Sequence, residues 1–153
     1  MIERSADMMN LVIRRMSQQD LEPLHMLLSD PEVMKYLEPP FTREQTVAFL
    51  KAGLSDNPPV FTAEADGTFI GYVIYHPYEE DTMELGWVLL PEYWGKGYAS
   101  ALTRQMMEKA ACEGKKPVIE CDPGQEITRH IALKSGFVRA ENRDGLEVYR
   151  LPD

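Results

Sequence analysis

The sequence predicts an α/β protein: a mixed central sheet of about seven strands flanked by about four helices. Three observations predict it. Short runs rich in Val, Ile and Tyr alternate with segments whose apolar residues recur every three or four positions. Asp66-Gly67 and Asn142-Arg-Asp-Gly145 are tight-turn signals between strand-like runs. Leu85 to Leu90 passes through Pro91 and the turn Gly95-Lys96-Gly97 straight into a helical pattern.

In chain order, Leu11 to Arg15 is a short strand, and Ser17 with Asp20 forms a capping-box start for a helix carrying Leu21, Leu24 and Leu28 on one face. Pro31 opens a short helical turn through Tyr36. Thr42 and Gln45 repeat the capping pattern ahead of a stripe of Val47, Leu50 and Leu54. Val60 to Ala65 and Phe69 to Tyr75 are strands joined by Asp66-Gly67, and Met83 to Leu90 is the next. Ala99, Leu102, Met106 and Ala110 mark one face of a helix. Pro117 to Cys121 then reads as a buried strand, Glu126 to Ser135 as a helix closed by Gly136, and Phe137 to Ala140 with Leu146 to Leu151 as a final hairpin.

A chain of 153 residues is one domain, expected over residues 10–153. Residues 1–9 carry one arginine, two acids and no apolar stretch, so a disordered lead is expected there rather than a secretory signal. No apolar run approaches the ~20 residues of a membrane span, and a cytoplasmic protein without membrane partners is expected. The net charge of -9 opposes general nucleic-acid binding and suits a cationic substrate. Cys112 and Cys121, with His25, His76 and His130 scattered, form neither a metal-ligand spacing nor a disulfide framework.

Gly95 and Gly97 stand where strand becomes helix. Without Cβ atoms they let backbone N–H groups approach an anion, and the helix start adds open donors and the positive end of a dipole. Lys96 adds a charge. A Rossmann fingerprint would need a third small residue where Ser100 stands and a ribose-binding acid near Glu120; a Walker A loop would need Ser or Thr where Gly97 stands. Both fit less well than a simple pyrophosphate cradle.

The element order, together with Asp30 to Leu37 (DPEVMKYL), Glu84 to Leu89 (ELGWVL), Tyr93 to Ala99 (YWGKGYA) and Lys134 to Phe137 (KSGF), resembles the GNAT superfamily of acetyl-CoA-dependent N-acetyltransferases over nearly the whole chain. Those segments look like its RimJ/RimL-like branch, the ribosomal-protein N-acetyltransferases. Four positions depart from the pattern: Glu92 replaces the Gln or Arg that usually begins the loop, Gln125 and Thr128 replace Asn and Ser, and Ala132 replaces a tyrosine general acid.

The resemblance implies a sheet splayed between its fourth and fifth strands, with the pantetheine arm of acetyl-CoA lying between residues 84–90 and 118–121. Backbone groups of Trp87, Val88 and Leu89 would pair with the arm like an added strand. Gly95, Lys96, Gly97, Tyr98, Ala99 and Ser100 would cradle the pyrophosphate; Gln125, Thr128, Arg129 and Lys134 would complete the cofactor contacts. Glu84, placed by alternation with Gly86 and Val88, is the candidate base, Glu147 a second, and Thr128 the candidate donor to the leaving sulfur. The expected activity is direct acetyl transfer to a primary amine in a ternary complex, with a protein or peptide N-terminal α-amine as acceptor, by a monomer or homodimer. A non-catalytic acyl-CoA-binding module, or an enzyme for a small amine such as a polyamine or aminoglycoside, stays open beside it.

Overall fold

The computed structural model describes residues 10–153; the lead expected over residues 1–9 lies outside the described residues. The strands are β1 (Leu11–Arg14), β2 (Val60–Ala65), β3 (Thr68–Pro77), β4 (Thr82–Leu89), β5 (Lys116–Cys121), β6 (Val138–Arg143) and β7 (Leu146–Arg150). The helices are α1 (Leu21–Leu28), α2 (Arg43–Gly53), α3 (Tyr98–Cys112) and α4 (Glu126–Lys134). One seven-stranded sheet runs in the order β1-β2-β3-β4-β5-β7-β6, parallel only between β4 and β5. The predicted mixed sheet is therefore the observed one.

Local chemistry accounts for the element ends. Gln45 N–H donates to Thr42 Oγ1 at 3.2 Å and Thr42 N–H to Gln45 Oε1 at 2.8 Å, so α2 begins on the reciprocal box its sequence predicts, a cap of about 1 kcal/mol. Asp66 and Gly67, at φ +50° and +81°, turn β2 into β3, and Asp144 and Gly145, at +52° and +84°, turn β6 into β7. The helix expected from Ser17 instead starts as a 3-10 turn, Gln18–Asp20, before α1. The reason is Asp20, whose carboxylate takes Ser17 N–H at 2.9 Å, Arg14 Nη2 at 2.8 Å and Thr62 Oγ1 at 2.8 Å, tying the turn to β1 and β2. The turn expected at Pro31–Tyr36 is closed by Met34 N–H to Asp30 O at 3.0 Å.

Strand alternation divides the core into two layers. Leu85 and Leu89 of β4 pack with Leu102 and Met106 of α3 and with Ala132 of α4. Val88 points the other way, against Leu24, Leu27 and Leu28 of α1 and Leu50 of α2. Each such leucine removed from water contributes roughly 1.5–3 kcal/mol. Glu84, two and four residues before Gly86 and Val88, shares the α1/α2 side.

Pairing between β4 and β5 covers only Thr82↔Lys116, Met83↔Pro117 and Glu84↔Val118. β4 then continues to Leu89 and β5 to Cys121 without pairing to each other. The sheet is split at its centre, and the split opens beside Glu84.

Candidate active site

The phase of β4 decides which backbone groups line the split. Tyr78 N–H donates to Thr82 O at 3.1 Å and Leu90 N–H to Ile70 O at 2.9 Å, so even-numbered residues of β4 bond to β3. The odd ones turn toward β5. Past Glu84 that leaves the N–H and C=O of Trp87 and the N–H of Leu89 facing the gap, unpaired by any strand among the described residues. The C=O of Leu89 is occupied, because Trp94 Nε1 donates to it at 2.8 Å. An extended chain entering the gap meets an edge strand whose odd-numbered residues offer it backbone donors and acceptors.

At the end of that edge the chain turns into α3. Pro91–Tyr93 is a 3-10 turn, and Trp94 N–H closes on Pro91 O at 3.1 Å. Tyr93 meets buried Tyr98 edge-to-face at 5.8 Å, which seats the first turn of α3 on the core. Gly95 and Gly97 take φ +71° and +88°, left-handed values that favour glycine. Gly97 is the N-cap of α3 and has no side chain to cap it; the first bond within the helix is Ala101 N–H to Gly97 O at 3.1 Å. The N–H groups of Tyr98, Ala99 and Ser100 therefore lie at an uncapped helix start, with exposed Lys96 beside them. Glu92 is also exposed, in the turn ahead of the loop.

On the α1/α2 side of the split, Glu84 Oε1 lies 3.4 Å from Nε2 of His76, its cross-strand partner on β3. Burial pushes the Glu84 carboxyl above its ordinary value; the neighbouring Glu120 charge pushes the same way and His76 opposes it. Glu120 in turn accepts from the Tyr78 hydroxyl, and Arg143 Nη1 donates to that hydroxyl at 2.9 Å. His76 and Tyr78 carry no motif, and only the pairing of β4 with β3 and β5 brings them and Glu120 around Glu84.

Glu147 lies on the other side of the sheet. Buried on β7, it accepts from Arg129 Nε at 3.1 Å and from the Tyr149 hydroxyl at 2.9 Å, with Arg139 Nη1 at 3.5 Å. The Tyr149 bond, helped by Arg129 and Arg139 and opposed by burial, holds this carboxyl below its ordinary value. Arg129 also donates to the carbonyl of Pro123, fastening α4 to the end of β5. Gln125 closes the turn before α4 by accepting Asp122 N–H at 2.8 Å. Thr128, half-buried, stands in the first turn of α4, near the β5 end of the split. Lys134 is exposed at the far end of that helix, about 12 Å from its start at 1.5 Å per residue. Trp87 packs into the α3 layer, opposite Glu84. Tyr36 lies against Gly124, where an added Cβ would sit 2.5 Å from its ring, so the α1–α2 connection reaches the β5–α4 corner.

Comparison with known proteins agrees with this architecture. The family model described as "Acetyltransferase (GNAT) domain" matches residues 10–138. The chain is 37% identical over 136 residues to the uncharacterized N-acetyltransferase YnaD of Bacillus subtilis, covering 84% of this chain and 79% of that protein. Among solved structures it resembles an acetyltransferase (GNAT family) from Bacillus anthracis, with TM-score 0.80, 28% identity and 91% of each chain covered. It also resembles spermidine N-acetyltransferase from Vibrio cholerae in complex with CoA and spermine, with TM-score 0.75, 22% identity and 92% of each chain covered.

Proposed function

The chain belongs to the GNAT family of acetyltransferases, and from that premise we propose that it moves the acetyl group of acetyl-CoA onto an α-amine, a protein or peptide N-terminus, by direct attack in a ternary complex. N-acetyl transfer with acetyl-CoA as donor is the family's activity. The residues present fit that donor. The uncapped N–H groups of Tyr98, Ala99 and Ser100, with Gly95, Lys96 and Gly97, would hold the pyrophosphate. Trp87 and Leu89 would pair with the pantetheine amides, and Leu89 N–H would face the carbonyl oxygen as charge develops on it. Bound there, acetyl-CoA supplies an activated acyl group.

The observation that carries the acceptor assignment is the nature of the base. Glu84 is a half-buried carboxylate at the mouth of the split with no arginine or lysine paired to it among the described residues, so it is available to take a proton. Glu147 is engaged by Arg129 and Tyr149 on the opposite side, which favours a role in holding α4. Thr128 is the donor to the leaving sulfur. A carboxylate is a modest base: deprotonating an α-amine of pKa ~8 at neutral pH costs about 1 kcal/mol, a lysine of pKa ~10.4 about 4–5. The α-amine is the acceptor such a site handles, in keeping with the RimJ/RimL-like segments.

One observation favours a second reading. Glu84 and Glu120 lie together on the acceptor side of a chain with net charge -9, a surface suited to a polyamine. The experiment compares three acceptors with acetyl-CoA: a peptide with a free N-terminus and blocked lysine, its converse, and spermidine. The expected result is about a hundredfold or greater preference for the free N-terminus at pH 7, shrinking toward pH 9 as neutral lysine accumulates. Faster acetylation of lysine or spermidine at pH 7 would overturn the α-amine assignment.

A further inference from the structure

His76 joins the site through the orientation of its ring. Its Nδ1 lies 2.9 Å from the carbonyl oxygen of Pro77. A carbonyl oxygen only accepts, so Nδ1 carries the hydrogen, and in the neutral ring Nε2 is left as an acceptor. That nitrogen is the one 3.4 Å from Glu84 Oε1.

The groups around the pair are otherwise satisfied. Just past β3, Tyr78 donates to Glu120 of β5 and accepts from Arg143 of β6, whose guanidinium lies 5.1 Å from the centre of the Tyr78 ring. Arg143 and Arg150 neutralise Glu79 in the β3–β4 connection, at 3.1 and 2.9 Å, and both also pair with Glu141. Among the described residues Glu84 pairs with His76 alone. The side chain of His76 is 34% exposed against 18% for Glu84, so the imidazole is the wetter end of the pair.

We propose that Glu84 and His76 form a proton relay, in which Glu84 takes the proton of the bound ammonium and passes it to His76 Nε2, which releases it to solvent. The proposal rests on the reading of Glu84 as the base. In the first step an N–H bond of the acceptor breaks and an O–H bond forms on Glu84. In the second that O–H bond breaks and Nε2–H forms, giving an imidazolium. Loss of its proton to water returns the neutral ring, and the lone pair left on the acceptor nitrogen is the one that attacks the acyl carbonyl. His76 acts through Glu84 and is a positioning and relay residue. The Pro77 carbonyl is what keeps its free lone pair turned inward.

Two measurements test it on the full chain. A long-range ¹H–¹⁵N correlation spectrum of ¹⁵N-histidine-labelled protein near pH 8, assigned with His76→Gln, should show His76 protonated at Nδ1; the Nε2–H tautomer would overturn the relay without any assay of turnover. Kinetically, His76→Ala should lower kcat/KM for the amine about ten- to a hundredfold, leave KM for acetyl-CoA unchanged, and recover in part with added imidazole, whereas His76→Gln should stay low. Full activity in His76→Ala, or recovery in His76→Gln alone, would make the ring a packing group and end the proposal. Glu84→Gln separates the two ideas. If Glu84→Gln is inactive and His76→Ala is not, the relay fails and the base stands; if Glu84→Gln keeps full activity, the base reading fails first.

Discussion

The indole N–H of Trp94 lies 2.8 Å from the carbonyl oxygen of Leu89 and caps the last backbone acceptor on the open edge of β4. The contact links the pyrophosphate loop to the edge that would bind the pantetheine arm, so each constrains the other. Trp94→Phe keeps the ring and removes the bond, a net loss of about 1 kcal/mol. The expected result is an acetyl-CoA affinity roughly fivefold weaker by calorimetry with kcat retained. A fall in kcat at unchanged affinity would contradict this role.

Gly97 holds φ +88° at the uncapped start of α3. A side chain there strains the backbone by about 1–2 kcal/mol, and a carboxylate would also repel phosphate. Gly97→Glu should remain folded by circular dichroism and bind acetyl-CoA at least about tenfold more weakly, with Gly97→Ala between the two. Unchanged affinity in folded Gly97→Glu would remove the loop from the binding site.

Glu84 also has a signature in stability. Burial and the Glu120 charge raise its folded value above the ordinary 4.5, against the pull of His76. The carboxyl is neutral in folded and unfolded chains well below that range, and stability is lost as rising pH ionises it in the fold. Glu84→Gln should therefore melt above the parent protein at pH 8 and level with it near pH 4, while losing about 10²- to 10⁴-fold in rate. A thermal difference that does not change with pH would show that the carboxyl is not held protonated-side by its surroundings.

Asp20 runs the opposite way. Burial alone would raise its value, but the bonds from Arg14, Ser17 and Thr62 outweigh it and hold the carboxyl below its ordinary 3.8. Its contribution is present above that range and is lost as pH falls through the lowered value. Asp20→Asn leaves Arg14 without this buried partner and should cost about 3 kcal/mol at pH 7, roughly 6–12 °C in Tm for a chain of this size. The gap from the parent should narrow toward pH 3; an unchanged gap would mean that shape, and not charge, holds the turn.

Much of this protein was legible in one dimension because the signals are local. Apolar alternation places Val88 and Leu89 on opposite layers, Thr42-x-x-Gln45 starts a helix, Asp66-Gly67 closes a hairpin, and Gly95-Lys96-Gly97 marks a strand-to-helix turn, each through backbone preferences of a few neighbouring residues. Glu84 could be placed on its face by counting. What counting cannot supply is a partner distant in sequence. Asp20 caps a turn in the sequence, but in the fold it is the hub joining β1 and β2 through Arg14 and Thr62. Glu147 and Glu84 are both strand carboxylates in one dimension; only the packing of α4 beside β7 sets Glu147 against Arg129, and only the register of β3 with β4 sets His76 against Glu84. The chemistry of a carboxylate depends on burial and on charges within a few ångströms, and those neighbours are set by long-range strand pairing, which the tertiary structure decides.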